Sequence, residues 1–378
     1  MTTNVGTLSG VGGTAEERIS VASQRQLIWW RFRKHKVAMF SGFIILLFYL
    51  SALGANFLAT ADPERSDALL NLMPPQPIKF FDETGWSPHV CAITGQRDMM
   101  TFKKVYKPDC NIQVPLVFFT EGYRYKFLGL FPTNKHLIGV GGDFKTEETL
   151  FLLGTDIQGR DLWSRLILGT RVSLSIGLVG VALSLFLGII LGGLSGYYGG
   201  YLDTVIQRVI EITRAVPTIP LWMGLAAALP RNWSVLQVYF AITLIIALFA
   251  WTDLARVVRG RFLALREEDF VAAARLAGAK PWRIIMAHML PSFYSHIIAA
   301  VTLAIPAMIV SETSLSFLGL GLRPPAISWG TLLQAAQNIQ SVATTPWLLI
   351  PAVPVIVAIL AFNFLGDGLR GLADPYSN

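Results

Sequence analysis

The stretch from Ala272 to Pro291, AAARLAGAKPWRIIMAHMLP, sets Ala272, Ala273 and Ala274 beside Arg275, Gly278, Lys280, Arg283 and His288. Small side chains let a helix enter a groove closely and flanking charges can orient it, so the chemistry on offer is docking. A second group, Gly154, Thr155, Asp156, Gly159, Arg160 and Asp161, packs three charges into a compact turn. It reads either as a structural cap at a membrane interface or as a contact for substrate or a docking protein. The two cysteines, Cys91 and Cys110, could close a loop worth about 3 kcal/mol, or could stay as buried free thiols. Two Cys without a CxxC spacing or clustered His make no metal centre, so no metal is expected.

No phosphate loop of the form GxxxxGK[ST] is present, and HExxH, GxSxG and a usable GxGxxG are missing too. No catalytic residue is assigned, no cofactor is expected in this chain, and it should not hydrolyse ATP. Glu211, His296 and Glu312 are the ionisable groups that come close to the apolar runs. Each lies near the end of a run, where a snorkelling or helix-terminus residue is the expectation and a proton relay the lesser one.

The elements that must position these residues are membrane helices. Of 378 residues 53% are hydrophobic and only 15% charged, where a soluble domain carries about 25% charge. Six runs approach the roughly 20 apolar residues that cross a bilayer: 37–59, 172–196, 215–230, 232–252, 293–311 and 347–366. The third is short and borrows from the segment before it. Four Lys/Arg in Arg31–Lys36 place the N-terminus in the cytoplasm by the positive-inside rule, and six crossings return the C-terminus there. The chain thus divides into a cytoplasmic tail (1–36), a first span (37–59), an extracytoplasmic domain (60–150) and a five-helix permease domain (151–378). Residues 253–291 form its cytoplasmic coupling segment.

Residues 60–171 carry as many acidic as basic side chains, so the net charge of +7 resides outside them. That is a topology signal and gives no argument for nucleic acid. In the outer domain, VPLVFFTEGYRYKFLGLF (Val114–Phe131) suggests strands, with turns at Met73–Pro77 and Phe131–Asn134.

Residues 267–277 should be helical, stopped by Gly278, with Pro281 opening a second short helix and Pro291 leading into the fifth span. A helix-turn-helix for DNA is superficially acceptable, but membrane tethers at both ends argue against it.

AAARLAGAKPWRIIMAHMLP resembles the EAA motif of ABC importer permeases. Ala273, Ala274, Gly278, Leu290 and Pro291 match in register, whereas Ala272 replaces the motif's Glu and His288 its Ile. The stretches 153–178, 195–203, 312–333 and 365–375 are similar to the C-type permease subunit of dipeptide and oligopeptide importers. The resemblance implies an all-α polytopic protein of the type I importer architecture, with six membrane helices and an insertion of mixed or β character between the first two. It also implies a bacterial inner-membrane location and four kinds of partner: a second permease, two ATPase subunits that bind ATP and Mg, an extracytoplasmic substrate-binding protein, and the lipid bilayer. Peptides are the expected cargo, with oligosaccharides, opines and nickel chelates open as alternatives. A stand-alone channel or sensor is the reading from another class.

Overall fold

The computed structural model describes residues 32–373 except 83, 84, 98, 100–103 and 339–342. The expected N-terminal tail therefore lies almost wholly outside the described residues, as do the last residues of the 365–375 stretch. In chain order the main helices are α1 (Lys36–Leu53), α2 (Leu162–Tyr198), α3 (Gly200–Ala215), α4 (Thr218–Ala227) and α5 (Val235–Leu265). They are followed by α6 (Asp269–Leu276), α7 (Tyr294–Phe317), α8 (Trp329–Leu333) and α9 (Ala352–Ala373). Strands β1 (Ile78–Asp82), β2 (Gly85–Arg97), β3 (Lys104–Phe127) and β4 (Phe131–Val140) lie between α1 and α2.

Among the described residues five helices are long and apolar enough to cross a membrane: α1, α2, α5, α7 and the stretch Pro346–Arg370 that contains most of α9. In lipid the backbone must satisfy its own polar groups, which a helix does within one segment. The third expected span is not one helix. Val216, the residue before Pro217, is pushed into extended backbone with ψ 130°, and α4 has only 10 residues, about 15 Å of rise.

The path of the chain around that break is fixed by packing. Ser184 Oγ donates to the Ala247 carbonyl at 3.1 Å. Added Cβ atoms on Gly188, Gly192 and Gly196 would meet Leu254 Cβ at 2.8 Å, Ala255 O at 2.4 Å and Phe262 Cβ at 2.5 Å. Small residues every four positions let the α2 and α5 backbones approach closely. Both numberings rise together, so the two helices run parallel, and α3 and α4 must carry the chain back to the level where α5 begins.

Two boundaries differ from expectation. α2 begins at Leu162 because the Asp161 carboxylate accepts from Ser164 N and caps the helix ahead of the apolar run. α5 continues to Leu265, well past the apolar run that ends at Thr252, because ARVVRGRF holds no proline and its one glycine, Gly260, costs only about 1 kcal/mol. At 31 residues it is about 46 Å long.

The domain between α1 and α2, expected outside the membrane, is a four-stranded antiparallel sheet in the order β1-β2-β3-β4. β3 pairs with β2 along its first half and with β4 along its second, so one long strand serves two hairpins. Cys91 and Cys110 are joined by a disulfide with Cα atoms 4.5 Å apart, linking β2 to β3 beside a bulge. The main core lies among α2, α5, α7, α8 and α9 and includes Leu174, Ile242, Ile309, Trp329 and Phe362. A second core sits at the end that the expected topology places inside, around Phe262, Val271, Ile284 and Met289.

Candidate functional site

At the inner end α6 is short and amphipathic. Asp269 in its first turn and Arg275 in its last both favour the helix dipole. It ends in a Schellman arrangement: Ala279 N donates to Ala274 O at 3.0 Å and Gly278 N to Arg275 O at 3.0 Å. Gly278 holds φ +76°, the left-handed turn this cap requires. The expected second helix is replaced by one α turn (Pro281–Arg283), a π turn (Ile284–Met289) and a short α turn (Leu290–Ser292). The wider turn brings Ile284, Ile285 and Met289 together into the inner core.

This folding divides the motif into an anchored half and a free half. Ala274 and Leu290 are buried in the inner core with Val271 and Phe293. Ala272, Ala273, Gly278, His288 and Pro291 are exposed. Beside them stand two residues that the sequence reading passed over: Leu276, 91% exposed, and Trp282, 55% exposed. Their signal lay in the helical spacing, since Val271 and Ala274 face inward and position 276 falls on the opposite side. A bare surface of small and apolar groups is the result, flanked by Glu267, Glu268 and Asp269 at one edge and by Arg275, Lys280 and Arg283 at the other.

That surface is tied rigidly to the membrane helices. Arg259 of α5 donates from Nε and from a terminal nitrogen to the two Asp203 carboxylate oxygens, each at 2.6 Å. Asp203 also accepts from Ser195 Oγ, and Gln207 Nε2 donates to that same Ser195 oxygen at 3.1 Å. The Arg275 guanidinium lies 5.2 Å from the centroid of the Tyr197 ring. The C-terminal ends of α2, α5 and α6 and the start of α3 therefore form one unit, in which α6 meets α2 through Arg275 and shares a buried core with α5 through Val271 and Phe262.

The outer motif is built in the opposite manner. Asp156 Oδ1 accepts from the Gln158 and Arg160 amides at 2.8 and 3.1 Å, and its Oδ2 accepts from Arg160 Nε at 2.8 Å. Arg165 Nε lies 3.6 Å from the same oxygen, an ion pair without a hydrogen bond. Thr155 donates to the Leu70 carbonyl and accepts from Met73 N at 2.8 Å. Asp161 accepts from Ser164 N and, at 3.1 Å, from Thr60 Oγ1, and burial raises its carboxyl above the ordinary value despite those bonds. Gly154 and Gly159 hold φ +74° and +72°, and a Cβ on Gly159 would sit 1.9 Å from Asp67 O. The three charges of this motif are thus turned inward on one another and on the backbone.

Glu312 does not snorkel. It is fully buried and accepts from Ser328 Oγ at 2.7 Å, Ser316 Oγ at 2.8 Å and Ser173 Oγ at 3.4 Å. Trp329 N donates to Ser173 Oγ at 3.1 Å, so the network joins α2, α7 and α8. Two of these partners, Ser328 and Ser173, lie 16 and 139 residues away in sequence, beyond the reach of a reading by local hydrophobicity. Glu211, by contrast, is exposed and paired with Arg208 at 2.9 Å.

A cavity of about 480 Å³ opens between α3, α4, α5 and α7. Its wall mixes Trp222, Phe249 and Met308 with Thr213, Thr252 and Ser311, and the Arg214–Asp253 ion pair lies on it.

The sequence pattern of a family described as "Binding-protein-dependent transport system inner membrane component" matches residues 184–376. That of the "N-terminal TM domain of oligopeptide transport permease C" matches residues 23–75. The chain is 40% identical to a dipeptide transport system permease protein of Lactococcus lactis over 61% of its own length and 65% of the relative's. It is 36% identical to an oligopeptide transport system permease protein of Bacillus subtilis over 59% of itself and 70% of that chain. For a glutathione transport system permease protein of Pectobacterium atrosepticum the identity is 37%, covering 59% of this chain and 72% of that one.

Proposed function

Because the chain belongs to the family of binding-protein-dependent transport system inner membrane components, we propose that it is one permease subunit of an ATP-powered peptide importer. The observation that carries this reading is the inner unit: a bare surface with no phosphate loop of its own, sharing a buried core with the end of a helix about 46 Å long. Power supplied by a partner is what such a surface serves. Two cytoplasmic ATPase subunits bind ATP and Mg, and one of them receives Ala272, Ala273, Leu276 and Gly278. A second permease completes the pathway, and a substrate-binding protein delivers cargo to the outer face.

The chain crosses the bilayer six times, with both termini in the cytoplasm. The parallel course of α2 and α5 supports this, since α3 and α4, bent at Val216–Pro217, must return the chain across the membrane between them. The cavity beside that bend is this subunit's half of the pathway. A mixed wall of rings, hydroxyls and one ion pair suits peptides of varied side chain, which must be held weakly enough to leave. The names of the relatives point to di- and oligopeptides, with glutathione as the variant within the same class. ATP-driven closure would move α6 and, through Arg259–Asp203, tilt α2 and α5 together, switching access from outside to inside.

Purification from membranes by a tag on this chain should bring down a second permease and ATPase subunits in stoichiometric amount. In liposomes, peptide-loaded binding protein should raise ATP hydrolysis several-fold. A chain that purifies alone and conducts without ATP would overturn the importer and favour the channel or sensor. Mass spectrometry of the ligand held by the cognate binding protein separates peptides from the other cargo classes.

A further inference from the structure

The β3–β4 hairpin ends in the sequence KFLGLFP, Lys126–Pro132. Phe127 pairs with Phe131, and the turn between them is Leu128-Gly129-Leu130. Leu128 holds φ 51°, a left-handed conformation that turns ordinarily give to Gly or Asn. An apolar side chain in that position gains nothing from water, yet Leu128 is 53% exposed, Leu130 73% and Phe131 64%.

The depth of this tip is set by what it touches. Lys126, Leu128 and Gly129 line one side of a groove of about 380 Å³. The other side is Tyr49, Ala52 and Leu53 of α1 together with Arg171, Leu174, Ser175 and Leu178 of α2. Tyr49 to Leu53 lie one helical turn short of the outer end of the first span, since Ala55–Leu58 continues α1, and Arg171 across the groove is the last charge before the apolar run of α2 begins at Val172. The hairpin tip therefore stands at the level where acyl chains meet headgroups. Two cations share the groove there: Lys126, which is exposed, and Arg171, whose Nε donates to the Ala52 carbonyl at 3.0 Å and whose terminal nitrogens remain as donors.

From this geometry we infer that the outer domain is anchored in the outer leaflet and that its groove holds a phospholipid. The phosphate sits between Lys126 and Arg171, one acyl chain runs over Leu53, Leu174 and Leu178, and Leu128, Leu130 and Phe131 dip into the interface beside it. Apolar floor, paired cations and an apolar tip at one depth match the three parts of an interfacial lipid, and neither water nor a polar peptide offers all three. The anchor holds the outer domain at a fixed height over the pathway. It is independent of which cargo the transporter carries.

The test uses the whole transporter in phosphatidylglycerol-containing liposomes, with partner subunits free of reactive cysteine. Cys91 and Cys110 are bonded to each other, so a nitroxide on Leu130→Cys reports from one place. Lipid-soluble oxygen should relax that label at least threefold more effectively, relative to a water-soluble nickel chelate, than it relaxes a label on Lys107→Cys in the first half of β3. Purified Lys126→Glu complex should retain at most half of the tightly held phospholipid seen by mass spectrometry in the parent. A tip label as open to the nickel chelate as the Lys107→Cys label would place the hairpin in water. A label closed to both relaxants would place it against another protein. Unchanged lipid retention in Lys126→Glu would remove the phosphate site. Any of these three results overturns the inference.

Discussion

The outer corner at Gly154–Arg165 and the inner segment at Ala272–Pro291 use their residues in opposite ways. The corner is rich in charge, but Asp156, Arg160 and Asp161 face one another, the backbone and Thr60. The inner segment has its charges at the edges, and its middle presents alanine, leucine and glycine to the outside. Charge density alone therefore does not tell an internally satisfied corner from an exposed apolar surface. Polar groups near a membrane are spent first on each other, because an unsatisfied buried group costs about 1–3 kcal/mol.

The sharpest way to break the comparison is to change one glycine in each region. Gly159 and Gly278 have nearly the same backbone, φ +72° and +76°, but an added Cβ on Gly159 would sit 1.9 Å from Asp67 O while one on Gly278 meets nothing within 4 Å. Gly159→Ala should destabilise by about 4 kcal/mol or more, seen as loss of folded protein in membranes, since it adds a backbone clash to the strain of a positive φ. Gly278→Ala should cost only about 1–2 kcal/mol, the strain alone, and thermal unfolding of the purified complex would register it as a few degrees. Equal losses in the two variants would show that both regions are structural corners.

A smaller effect on stability with a large effect on activity is expected from Leu276→Asp. The side chain is 91% exposed, so the folding stability should change by under about 0.5 kcal/mol. A charge placed in an apolar docking surface should nevertheless reduce substrate-stimulated ATP hydrolysis about tenfold or more, measured in proteoliposomes against unchanged complex yield. Wild-type coupling in this variant would mean that the bare surface is not the docking surface.

Much of this was legible in the sequence, because apolar runs, prolines and positive flanks report directly on the cost of placing groups in lipid. Helix breakers were equally local, and Gly278 takes the turn its position requires. What could not be read were features made by distant residues. The third span was expected as a short apolar run borrowing from the segment before it, and the bend at Val216–Pro217 divides it into α3 and α4. The π turn at Ile284–Met289 follows from the need to bury Ile284, Ile285 and Met289 in one core, which no local spacing announces.

By itself the sequence determined which segments are apolar enough to enter a membrane and where a polar domain is inserted between the first two of them. Each of these follows from transfer free energies that act residue by residue. Only the tertiary structure decided which charges are spent internally, that Glu312 is held by three serines, and that Leu276 stands free while Ala274 is buried. Those outcomes depend on which distant groups come within hydrogen-bonding or packing distance, and that is a property of the assembled helices and of no single segment.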